Sequence, residues 1–225
     1  TGDASGSDNP LSVSMTADKS IGATFSQDSS DSDGDGFSNY EELITYSTDP
    51  QSNTSYPTVN LTKGTSDNGS ITANTTYALN STASIEATPS SGYVFSAWTG
   101  ANTGNSNPLS LTMNSNKTIG ATFAKDTNDS DGDGFSNYDE IITYSTNAND
   151  ASSYPTRTLT KSNTSNGSIT ADSTHKLNST ATVSATPISA YVFSSWTGAN
   201  TGNDNPLSLT MDSNKSIGAT FSPDT

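Results

Sequence analysis

The stretch TASIEATPSSGYVFSAWTG, residues 82–100, alternates in a way that only a strand uses. Ala83, Ile85 and Ala87 fall on one face, and Ser84, Glu86 and Thr88 on the other. A period of two is the mark of a half-buried strand. GYVFSAWTG is the apolar peak of the region. Downstream, LSLTM puts Leu109, Leu111 and Met113 on one face, and KTIGATF does the same with Ile119, Ala121 and Phe123, with NSNK as a turn between them. Upstream, NGSIT (68–72) pairs an Asn-Gly turn signal with a strand that follows a further run near Leu61. These runs predict about six short antiparallel strands in a small sheet or sandwich.

The same pattern returns after an offset of 98 residues. Trp98 matches Trp196, Asn107-Pro108 matches Asn205-Pro206, and Asp31 matches Asp129, without a gap. Roughly two thirds of the aligned positions are identical, a repeat architecture in its simplest form. Residues 1–25 align with 99–123 and read as the C-terminal strands of a preceding copy, and 222–225 as the start of a next one. The expected organisation is a tail (1–25), a linker (26–56), a β module (57–123), a second linker (124–154) and a second β module (155–221). The chain begins in mid-pattern and reads as a fragment of a longer one. The tail holds too few strands to fold alone. It is expected to pack on a neighbouring module, the alternative being insertion into another chain's sheet.

Composition narrows the class. Of 225 residues, only 29% are hydrophobic and 8% aromatic, which points to thin β modules with small cores. The net charge is −15, with eight basic residues, so neither a nucleic-acid surface nor attraction to an anionic membrane is expected. There is no cysteine to form disulfides or thiolate metal sites. No apolar run approaches a membrane span, and no signal peptide is visible. A thin-cored domain without disulfides needs another staple, and a metal is the usual one.

The linkers supply the ligands for it. DSDGDGFSNYEEL (31–43) places Asp31, Asp33 and Asp35 at loop positions 1, 3 and 5, Gly36 at 6, Asn39 at 9 and Glu42 at 12. This is the spacing of an EF-hand calcium loop, with the carbonyl of Phe37 at position 7. DSDGDGFSNYDEI (129–141) repeats it with Asp129, Asp131, Asp133, Phe135, Asn137 and Glu140. A hard cation needs six to eight oxygens, and alternate residues of such a loop point inward to provide them. Two calcium sites are therefore expected; magnesium fits less well, and a solvated acidic turn would not account for the full spacing. Without a cation these carboxylates repel one another and oppose folding. SNYEELITY then places Tyr40, Leu43 and Ile44 on one helical face, for about two turns ending near STDP. No helix is predicted before the loop.

At these residues two family resemblances appear. DSDGDGFSNYEELITYSTDP resembles the bacterial thrombospondin type 3-like calcium repeat. The second copy departs from it, with STNAND in place of STDPQS, so that Asn147 replaces Asp49. LNSTASIEATPSSGYVFSAWTGANTGNSNPLSLTMNSNKTIGATF resembles the divergent internalin B-repeat, although the second copy carries Ala190 where the first has Gly92. The resemblances imply extracellular calcium-binding linkers between β-rich, non-catalytic modules of bacterial surface or secreted proteins.

Other residues carry less. Trp98 and Trp196 are read as core rather than sugar platforms. His175 aligns with Tyr77, and Glu86 with Ser184, so neither serves a function that both copies share. No catalytic residue is predicted and no enzyme activity is expected. Lys63 and Lys161 repeat, which raises an intramolecular isopeptide staple, but no acid to promote one is evident. The Asn-x-Ser/Thr sequons are expected by chance in this composition.

The leading expectation is a mainly β segment of a long extracellular stalk, adhesin or fibre on a bacterial surface. Tandem antiparallel modules, each preceded by a calcium loop and a short helix, would form a spacer. Its partners would be neighbouring repeats, self-assembly into fibres included, with no nucleic acid and no membrane insertion. The alternatives are an adhesive module with a host or glycan ligand, and an accessory region of a secreted enzyme.

Overall fold

In a computed structural model, which describes residues 2–162 and 164–225, the alternation at Ala83, Ile85 and Ala87 becomes a strand whose buried and exposed residues take turns. The first module runs β1 (Thr58–Lys63), β2 (Gly69–Thr72), β3 (Thr76–Ala78), β4 (Thr82–Pro89), β5 (Tyr93–Gly100), β6 (Leu109–Thr112) and β7 (Lys117–Lys125). The second runs β8 (Thr156–Lys161), β9 (Gly167–Thr170), β10 (Thr174–Lys176), β11 (Thr180–Pro187), β12 (Tyr191–Gly198), β13 (Leu207–Thr210) and β14 (Lys215–Pro223). Among the described residues each therefore has seven strands, in a four-stranded and a three-stranded sheet: β3-β1-β7-β5 with β2-β4-β6, and β10-β8-β14-β12 with β13-β11-β9.

One pairing departs from the antiparallel expectation. The first and last strands of each module lie side by side and parallel, with Leu61 opposite Lys117 in the first and Leu159 opposite Lys215 in the second. The extra strand is the short β3 or β10, which pairs with the module's first strand and is too brief to leave an alternating signature. Asn80 and Asn178 follow these strands with φ of 64° each, and Asn68 and Asn166 hold the turns before β2 and β9 in the same left-handed region. Asparagine tolerates that conformation better than most side chains.

The core of the second module is small and apolar. Leu159, Ala181, Val183, Trp196, Leu207, Leu209, Met211 and Ile217 are buried in it, and Phe193 and Phe221 pack against it. Trp196 is 1% exposed, as is Trp98, and their indole N–H groups donate to the carbonyls of Asp204 and Ser106 at 2.7 and 2.8 Å. A buried indole with its one donor satisfied is a core residue, as read from the sequence. Phe221 lies over Gly167, where a Cβ would approach its ring to 2.3 Å, so the strand glycine makes room for the aromatic.

The chain divides into two compact units, one of Thr1–Thr65, Ile71–Glu86 and Trp98–Gly120, the other of Ser66–Ser70, Ala87–Ala97 and Ala121–Thr225. The second unit thus joins the linker after the first module to the β4–β5 turn. Gly92 accepts a hydrogen bond from the Asp126 amide at 2.9 Å, and Tyr93 stacks edge-on against Tyr138 at 5.4 Å. Lys125 lies 4.1 Å above the Tyr138 ring. Within the same unit, Ala190 accepts from the Asp224 amide at 2.9 Å, which repeats the Gly92 contact 98 residues on.

The leading segment does not pack as expected. Among the described residues of the tail the one bridge is Gly2 to Ile21, and Leu11, Met15, Ile21 and Phe25 are exposed, Phe25 at 95%. Their counterparts Leu109, Met113 and Ile119 are buried. Side chains of core type thus stay in solvent in this segment.

Candidate metal centre

Each acidic loop is wound by its own aspartates. Asp31 accepts from the amides of Gly34 at 2.7 Å and Gly36 at 3.0 Å. Asp129 accepts from Gly132 and Gly134, both at 2.8 Å, and the Gly134 amide foremost holds its carboxyl below the usual range. The four glycines concerned, Gly34, Gly36, Gly132 and Gly134, all have positive φ, which the sharp turn demands.

The inner carboxylates split their oxygens. One oxygen of Asp33 accepts from the Asp35 amide at 3.2 Å, and one of Asp35 from the Phe37 amide at 3.0 Å. Their second oxygens are buried and accept no hydrogen bond, and the same holds at Asp131 and Asp133. Ligand atoms of Asp31, Asp33 and Asp35 lie within 4.8 Å of one another, as do those of Asp129, Asp131 and Asp133.

Glu42 and Glu140 complete the set. Both are 0% exposed. Thr48 and Thr146 donate to one oxygen of each at 3.2 Å, and the second oxygen has no hydrogen-bond partner. Burial pushes both carboxyls above the usual glutamate range against the opposing threonine bond; Asp35, Asp33 and Asp31 add to the rise at Glu42, and Asp131, Asp133 and Asp129 at Glu140. A buried carboxylate with an unmatched oxygen beside other carboxylates is unfavourable unless a cation compensates it. The donor set is hard oxygen only, which suits calcium.

The helix that carries each glutamate is short and wide. Glu41–Tyr46 and Asp139–Tyr144 are π-helical turns, closed by Ser47 and Ser145 in the left-handed region. Such turns are rare and recur at functional positions. Ser38 and Glu41 form a capping box, the Ser38 amide donating to the glutamate at 3.0 Å and the Glu41 amide to the serine hydroxyl at 3.4 Å, while Ser136 accepts from the Asp139 amide at 3.1 Å and donates its hydroxyl to that carboxylate at 2.8 Å. The apolar face read at Leu43 and Ile44 is not buried; they are 59% and 67% exposed. The helix instead turns its glutamate inward. Among the described residues no helix leads directly into either loop.

Asn39 and Asn137 fasten the loop ends. Each amide oxygen accepts from the backbone of Ser32 or Ser130, and each amide nitrogen donates to Asp28 or Asp126 at 2.9 or 2.7 Å. These asparagine bonds, before any other cause, hold Asp28 and Asp126 below the usual range. Phe37 and Phe135 stack edge-on against Tyr46 and Tyr144, which anchors position 7. Asp49 and Asn147 each accept from the amide two residues on and donate their own amide to Ser55 or Ser153, so both serve the same turn.

Sequence reasoning missed Asp28, Asp126, Thr48 and Thr146, which orient the ligand candidates without belonging to the loop pattern. Lys63 and Lys161 donate to the carbonyls of Ala73 and Ala171, which leaves the isopeptide reading without support. His175 is hydrogen-bonded to the carbonyl of Asp172.

Comparison with known families bears on both parts. The divergent InlB B-repeat domain matches residues 59–127 and 157–225, together more than half of the chain. The chain belongs to the divergent InlB B-repeat domain family. Ahead of each B-repeat, the bacterial TSP3 repeat matches residues 31–53 and 129–151, the two acidic loops with their helices. No curated protein and no solved structure matches the chain. Tandem B-repeats with TSP3 linkers mark a repeat region of bacterial surface-protein type, and the TSP3 match points to calcium. Among the described residues no helix is long and apolar enough to cross a membrane.

Proposed function

We propose that this chain is a calcium-stabilised spacer within a long extracellular bacterial surface protein. The observation that carries the reading is the buried, unpartnered oxygen of Glu42 and Glu140 beside three aspartates in each loop. Asp31, Asp33, Asp35, Glu42 and the carbonyl of Phe37 would hold one ion, and Asp129, Asp131, Asp133, Glu140 and the carbonyl of Phe135 the other. Asn39 and Asn137, already committed to the loop ends, would act through a remaining lone pair or a bridging water. Calcium neutralises a self-repelling linker and fixes its course from one β module to the next, with boundaries near residues 26–56 and 124–154. The affinity suited to this setting is on the order of 10⁻⁴–10⁻³ M.

Small-angle scattering of the chain with millimolar calcium and then with chelator tests the reading. The expected result is an extended, rigid particle with calcium that becomes flexible without it, with a matching fall in melting temperature. Scattering and melting that ignore chelation would sink the spacer role.

A further inference from the structure

The two loops share every ligand type, yet the residue that faces the position-5 aspartate from the module's third strand differs. Lys176 reaches into the second loop. Its ammonium donates to the backbone carbonyl of Asp133 and lies 3.7 Å from that residue's Oδ2, on a side chain only 1% exposed. Two aromatic faces hold it there, Tyr154 at 4.7 Å and Phe135 at 5.2 Å. In the first repeat the equivalent residue is Ala78. It lines an open groove of about 520 Å³ with Asp35, Gly36, Phe37 and Tyr56. Phe37 and Tyr56 are the partners of Phe135 and Tyr154 in the repeat, so the groove is the place that Lys176 fills in the second copy.

We infer that Lys176 makes the second loop a built-in partial counter-charge site that binds calcium more weakly than the first and stays ordered at lower calcium. This rests on the calcium reading above. The physical basis is charge. Each loop offers three aspartates and one glutamate as ligands, but only the second has a tethered cation against its position-5 ligand. That cation relieves repulsion when no metal is present and opposes a divalent ion when one arrives. At the separations involved, and in a partly screened site, the electrostatic difference corresponds to roughly tenfold in affinity. The first loop, with alanine there, depends on the metal alone. Calcium would then act in two stages along one chain, with tight filling of the first loop and later filling of the second.

A residue-resolved NMR titration of the whole chain with calcium chloride separates the sites. The reporters are the amides of Gly36 and Gly134, which donate to Asp31 and Asp129. The parent should show Gly36 reaching half-saturation at roughly tenfold less calcium than Gly134. Lys176→Met keeps the apolar stem and removes the charge; it should bring the two midpoints together. Ala78→Lys should weaken the first loop and leave Gly134 unchanged. The indole resonances of Trp98 and Trp196 verify in the same spectra that each variant is folded. Equal midpoints in the parent, or a gap that survives Lys176→Met, overturns the inference while calcium binding stands. If neither amide responds well above the millimolar range, the calcium reading falls and takes this inference with it.

Discussion

Glu42 and Glu140 sit where a charge is least welcome. Desolvation raises both above the ordinary glutamate value of 4.5, so in the metal-free protein ionisation works against the fold. A raised carboxyl pKa means that the folded state holds its proton longer than the unfolded chain does. Stability from that proton is present below pH 4.5 and is lost as pH rises through the raised value. The paired variant Glu42→Gln with Glu140→Gln isolates the effect. In chelator, the parent should lose stability relative to the variant as pH climbs from 4.5 towards neutrality. With calcium the order should reverse, because a bound cation needs the carboxylates. Parallel melting curves across pH, with and without calcium, check both halves. The twelve-residue spacing made these glutamates legible, since position 12 of such a loop has one geometric purpose. Thr48, Asp28 and Lys176 were not legible, because their contacts are set by how the chain returns to the loop rather than by spacing within it.

At the scale of the element, the β4–β5 and β11–β12 turns make a natural comparison. Gly92 has φ of 79°, and a Cβ there would come within 3.0 Å of Ile142 Cγ1 on the following linker. Ala190 occupies the matching place at φ of 67° with a side chain that disfavours it. An L-residue in the left-handed region costs roughly 1–2 kcal/mol. Ala190→Gly should therefore stabilise the protein by about 1 kcal/mol, less the extra freedom that glycine gives the unfolded chain. Gly92→Ala should destabilise it by more than that strain alone, because it also displaces Ile142. Denaturant midpoints of the two variants against the parent decide it. The strands themselves were readable where side chains alternate over many residues, as in β4. The three-residue β3 and β10 were not, since three residues carry no period. The π-helical winding was also hidden: Tyr40, Leu43 and Ile44 mimic an amphipathic helix, but the buried glutamate determines which way the turn faces.

For the whole molecule, the parallel contact between the first and last strands of a module governs its response to tension. In the second module β8 enters, β14 leaves, and they run side by side in the same direction over Leu159–Lys215, Thr160–Ser216 and Lys161–Ile217. Force applied at the start of β8 and the end of β14 pulls these strands past each other along their length. Their hydrogen bonds are then strained together, in shear, rather than opened one at a time from an end as in a pulled hairpin. Stretching single molecules of this chain should give sharp, separate rupture peaks at forces well above those for unzipping. Low, sloping extension without peaks would contradict that. A tether assembled from such units would behave less like a loose string than like a row of mechanical fuses, each holding until it yields and then lengthening the line.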